Sequence, residues 1–140
     1  MRILIDTNVV LDVLLSRAQH IRDSASVLSK IRSGEADGYL AAHTVTTIYY
    51  LACKRIGDQK TREFLEELVK FFRIARVDEY VIESALASPF ADFEDAVVHE
   101  AGDASDVLAI VTRDKAGFAQ ATIPVFSPDE MLATLAKTTA

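Results

Sequence analysis

The chain has 140 residues and a mass of 15.4 kDa, with half of its residues apolar, 26% charged and a mean hydropathy of +0.17. Those values describe one domain, residues 1–140, with enough apolar side chains for one core, and the low Gly and Pro content excludes a linker-like or repetitive chain. Twenty-one Asp and Glu against fifteen Lys and Arg give a net charge of −6, so a nucleic-acid partner would not be held by uniform basic attraction: either the partner is not a polyanion, or the acids gather where a divalent cation reverses their sign.

Arg2 to Asp6 is aliphatic and reads as a short buried strand that ends in the polar turn residues Asp6, Thr7 and Asn8. No apolar run reaches membrane-spanning length, and this opening reads as a strand, not as an export signal, so a cytoplasmic location away from membranes is expected. A short helix over 9–15 follows, with Val9, Val10, Val13 and Leu14 inward, then a second helix over 21–31 closed by Gly34. Residues 39–42 are the next strand. Residues 44–55 are apolar on most sides and predict a buried helix ended by Gly57, with Cys53 as a core thiol. Residues 61–72 are amphipathic: Phe64, Leu65, Leu68, Val69 and Phe72 oppose Arg62, Glu63, Glu66, Glu67 and Lys70. A strand over 73–77 leads to a helix over 79–87. The helix over 93–101 has Phe93, Ala96, Val97 and Ala101 inward and Gly102 as its stop. The apolar strand 107–112, the short strand 123–126 and a helix over 128–136 complete the chain.

Strands that alternate with helices and are apolar on both faces predict a three-layer α/β/α domain with a mostly parallel central sheet. Ligands of such sheets sit at the carboxyl ends of the strands, and there this chain places acids. Asp6 ends the first strand, Asp92, Glu94 and Asp95 open a helix, and Asp114 follows the strand 107–112. Each acid alone has an ordinary role: Asp6 as a helix cap, Asp92 and Asp95 as helix-start residues, Asp114 as a turn residue. Carboxylates crowded at one sheet edge raise one another's pKa unless a cation intervenes. All-oxygen ligation without paired Cys or His suits Mg²⁺ or Mn²⁺ better than zinc.

Three blocks then stand in order. Ile3-Leu4-Ile5-Asp6-Thr7-Asn8 is a hydrophobic strand followed by Asp-Thr-Asn. Asp92-Phe93-Glu94-Asp95-Ala96-Val97 is an acidic helix start, and Ile110-Val111-Thr112-Arg113-Asp114 with Phe118 ends the series. In these blocks the chain resembles the PIN domain family, and within it the toxins of the VapC type, over nearly its whole length. The resemblance implies a metal-dependent ribonuclease, often a homodimer and commonly restrained by a co-expressed antitoxin. It implies that Asp6, Asp95 and Asp114 hold Mg²⁺ or Mn²⁺, with Asp92 a weaker candidate. Asn8 would support the site by hydrogen bonding, and Thr112 would be a supporting or substrate-contacting hydroxyl.

One departure stands out. The family carries a second acid on the helix after the second strand, and here Thr47 takes that position within Thr44-Val45-Thr46-Thr47-Ile48. A hydroxyl is a poorer anchor for a cation, so a PIN-like chain that binds RNA or a protein without efficient cleavage is the rival expectation. Arg113 and Lys115 flank Asp114 and are the first choice for holding RNA phosphates. His43 reads as a helix-start residue and His99 as a solvated helical histidine, each with a substrate or metal contact as its second reading. A phosphotransfer receiver domain, the remaining short α/β fold with clustered acids, lacks the N-terminal acidic pair and is set aside.

Overall fold

Ile3, Leu4 and Ile5 are wholly shielded from solvent because β1 (Arg2–Ile5) is the middle strand of the sheet. In the computed structural model, which describes residues 1–139, β1 pairs in parallel with β2 (Asp37–Ala41) on one side and β4 (Ala109–Val111) on the other. Outside these lie β3 (Phe72–Ala75) and β5 (Val125–Phe126), also parallel, which gives the order β3-β2-β1-β4-β5. The register pairs Ile3 with Ala109, Leu4 with Ile110 and Ile5 with Val111. The expected three-layer architecture holds, and the sheet is parallel throughout. A receiver-type sheet places its third strand at the centre; this one places its first.

Because side chains alternate across a strand, the two faces of the sheet build separate cores. Ile3, Ile5, Leu40, Ala109 and Val111 pack against α1 (Thr7–Leu14), α2 (Ile21–Arg32), α3 (Ala42–Ile56), α4 (Asp58–Leu68) and α7 (Pro128–Thr139). Leu4, Tyr39, Ala41 and Ile110 pack against α5 (Glu79–Ala87) and α6 (Phe93–Ala104). Among the described residues no helix is long and apolar enough to cross a membrane.

Several boundaries differ from expectation for local physical reasons. The first helix starts at Thr7 without an intervening turn, since the Asp6 carboxylate accepts the Thr7 N–H at 2.9 Å and caps it. The amphipathic segment divides: α4 begins at Asp58 and stops at Leu68, and Phe72 enters β3, where pairing with Gly38 overrides the helical period. α3 buries one face only, leaving Tyr50 63% and Leu51 41% exposed. Phe93 likewise turns outward, 48% exposed. Gly102 does not stop α6; the helix runs to Ala104, and the chain reverses at Asp106, where φ is 58°. Cys53 is half-buried, with its Sγ 3.8 Å from the Tyr49 hydroxyl.

Candidate functional site

The winding of the sheet changes direction at β1: β2 and β3 lie to one side, β4 and β5 to the other. A crevice opens at the carboxyl ends of the strands at such a point. Asp6 stands there, one residue past β1, and its backbone N–H donates to the Val111 carbonyl of β4 at 2.9 Å. Thr112, one residue past β4 and fully buried, donates its hydroxyl to Asp6 Oδ2 at 2.8 Å. The two central strands therefore fix the two sides of the crevice against each other.

A cleft of about 310 Å³ opens over this point, lined by Asp6, Thr7, Asn8, Leu11, Leu51, Asp92, Glu94, Asp95 and Asp114. The wall holds five carboxylates and no lysine or arginine. Of the expected site residues, Asp6, Asn8, Asp92, Asp95 and Asp114 meet here, with Thr112 directly beneath. Asn8 Nδ2 donates to Asp6 Oδ2 at 3.3 Å and to Thr112 Oγ1 at 3.4 Å. The Asp114 N–H donates to Thr112 Oγ1 at 3.0 Å. Asp92 caps α6 by accepting the Asp95 N–H, and Asp114 accepts the Gly117 N–H to cap the short 3₁₀ turn Lys115–Phe118. Each thus spends one oxygen on backbone and keeps the other free.

The remaining expected residues go elsewhere. Thr47 donates back to the His43 carbonyl at 3.1 Å and is not part of the cleft wall; from α3 that wall receives Leu51, one turn later. Arg113 turns away to Asp12, and Lys115 pairs with Glu130 at 2.9 Å. His99 is only 4% exposed and not solvated: its Nε2 accepts the Thr122 N–H at 3.1 Å and its ring lies against Phe90. His43 is half-buried at the start of α3, and burial lowers its pKa against the opposing pull of Glu94.

Electrostatics set this cleft apart from a row of helix caps. Burial raises the pKa of Asp6 against the hydrogen bonds from Thr112 and Thr7, and the charges of Glu94 and Asp114 raise it further. Asp95 is pushed up to about 7, first by desolvation and then by Asp6, Asp92, Asp114 and Glu94. Its carboxylate accepts no hydrogen bond from the described residues. Asp95 Oδ2 and Asp114 Oδ2 crowd one point above Gly117, where a Cβ would lie 2.7 Å and 2.8 Å from them. A side chain at residue 117 would fill the space where these oxygens approach.

This uncompensated, all-oxygen donor set fits a hard divalent cation in charge and chemistry. Among the described residues no three His, Cys, Asp or Glu side chains close on a single point.

The profile of the family described as PIN domain matches residues 2–116. Among curated proteins, none matches the chain. Solved structures do. FitAcB from Neisseria gonorrhoeae is 24% identical, with 90% of this chain and 97% of that one covered and a TM-score of 0.65. A toxin–antitoxin complex from Klebsiella pneumoniae is 22% identical, with 89% and 96% covered and a TM-score of 0.67. DNA-bound VapBC from Salmonella typhimurium is 13% identical, with 91% and 98% covered and a TM-score of 0.66. At these identities the likeness establishes the fold.

Proposed function

Because this chain belongs to the PIN domain family, we propose that it is a metal-dependent ribonuclease that hydrolyses RNA phosphodiester bonds as the toxin of a toxin–antitoxin pair. The observation that carries this reading is the cleft of five carboxylates, without a basic side chain, at the point where the sheet reverses its winding. Mg²⁺ or Mn²⁺ would be held by Asp6, Asp95 and the free oxygen of Asp114, with Asp92 and Glu94 at the rim. When bound, the cation supplies an activated water and offsets charge on the scissile phosphate. The chain's own residues do the positioning: Thr112 and Asn8 orient the Asp6 carboxylate, and capping fixes one oxygen of Asp114.

The toxin role draws support from the toxin–antitoxin complexes among the similar folds. An antitoxin partner, a homodimer and action in the cytoplasm follow from the same reading. A second reading has an observation of its own. Leu51, an apolar side chain, occupies the α3 wall of the cleft, and Thr47 carries no charge. On that reading the chain binds RNA or a protein without efficient cleavage.

Calorimetry with Mn²⁺ separates the two. Wild type should bind, and an Asp6→Asn, Asp95→Asn double variant should not. Cleavage of single-stranded RNA should stop in EDTA, return with Mn²⁺ or Mg²⁺, and vanish in Asp6→Asn. Metal-independent RNA binding without product would establish the second reading instead.

A further inference from the structure

Arg113 stands beside Asp114, yet its guanidinium is already engaged. Nε and Nη2 donate to Asp12 Oδ2 and Oδ1 at 2.7 and 3.0 Å, a two-point fork on a carboxylate with no exposure to solvent. Ser24 donates its hydroxyl to the same carboxylate at 2.8 Å, and Arg17 lies 3.6 Å away. Asp12 is not part of the cleft wall and is closed to any ligand.

The backbone of the same turn is tied to the same helix. The Arg113 N–H donates to Asn8 Oδ1 at 3.3 Å, and Asn8 and Asp12 are four residues apart, on one face of α1. α1 therefore grips the turn 112–114 twice, once through its main chain and once through the Arg113 side chain. Asp114 hangs from this turn, and Asp6 caps the first residue of α1. The double grip fixes how far apart these two carboxylates stand. Burying an ion pair is costly, and apolar residues of similar volume often stabilise as well or better; the fork supplies direction, which apolar contact does not.

We infer that Asp12 and Arg113 are the positioning pair of the acidic cleft: they hold Asp114 at its distance from Asp6, and Arg113 makes no phosphate contact. This rests on the metal-site reading above. Groups that orient metal ligands without touching the ion typically change affinity by about 10–100-fold when altered.

The test compares wild type with Arg113→Lys, which keeps the charge and loses the fork, and with Asp12→Asn. Mn²⁺ affinity is read by calorimetry, folding by thermal melts, and binding of a single-stranded RNA across a salt series. Arg113→Lys and Asp12→Asn should each weaken Mn²⁺ binding by about tenfold or more. Their double variant should be little worse than either single one, as expected of groups acting through one contact. The salt dependence of RNA binding in a charge-removing Arg113→Gln variant should stay at the wild-type slope, because a lost phosphate contact would flatten it. Gly102→Ala, a packing change outside the cleft wall, controls for loss of stability and should leave Mn²⁺ affinity unchanged. Should Asp12→Asn fail to fold, Arg113→Lys and Ser24→Ala carry the comparison. Wild-type Mn²⁺ affinity in Arg113→Lys, or a flattened salt slope of RNA binding in Arg113→Gln, overturns the inference alone. Failure of the wild type to bind Mn²⁺ overturns the metal reading and this inference with it.

Discussion

Asp95 is the residue on which the cost of the cleft falls. With its folded pKa near 7 against an ordinary 3.8, the folded protein holds a proton there that the unfolded chain has already released. Stability linked to this group is therefore undiminished below pH 3.8, declines as the pH rises, and reaches its full loss above about 7. In metal-free protein, Asp95→Asn should raise Tm above wild type at pH 8, with the advantage shrinking as the pH falls towards 4. Mn²⁺ should reverse the order at pH 8, because only wild type gains a counter-charge; unchanged ranking with Mn²⁺ would show that no cation is held. Gly117 makes a steric prediction at the same scale. Its Cβ in Gly117→Ala would meet the oxygens of Asp95 and Asp114, so Mn²⁺ affinity should drop by about tenfold while the melt changes little.

Elements explain which parts of the molecule were legible in the amino-acid sequence. Asp6, Asn8, Asp92, Asp95 and Asp114 sit at the ends of strands or starts of helices, and a short local pattern suffices to place them at one sheet edge. Arg113 was misleading because its partner lies 101 positions away, and no local pattern announces such a pair. The available signal was Asp12 itself, a charge that interrupts the apolar stretch between Val9-Val10-Leu11 and Val13-Leu14-Leu15, which a buried helix face tolerates only with a partner. Gly102 shows another limit. A glycine after an apolar period imitates a helix stop, yet here it lets α6 pack closely: a methyl group at this position would meet Val107 Cγ2 at 2.9 Å and Leu4 Cδ1 at 3.3 Å. Gly102→Ala should therefore cost about 1–3 kcal/mol in a denaturant melt despite alanine's better helix propensity. Phe93 and Leu51 escaped for a related reason: periodicity identifies an apolar stripe, and α3 and α6 carry more apolar residues than their buried faces use.

At the scale of the whole molecule, a chain of net charge −6 that concentrates five carboxylates in one cleft should respond globally to a cation. At free Mn²⁺ a hundredfold above its dissociation constant, binding to the folded state alone would add about 2.7 kcal/mol. That should appear as a Tm rise of a few degrees, absent in the Asp6→Asn, Asp95→Asn variant. The strand order carries a further consequence, for synthesis. Of the five strands β1 is synthesised first and finds β2 within the next forty residues, but its other neighbour, β4, begins only at Ala109. Until then Asp6 lacks the backbone bond to Val111, the hydroxyl of Thr112 and the company of Asp114. A nascent chain released from synthesis before residue 109 therefore has half a cleft and an open central strand. On the nuclease reading, the ribosome that makes this protein is shielded from its own product until nearly all of the domain has been translated.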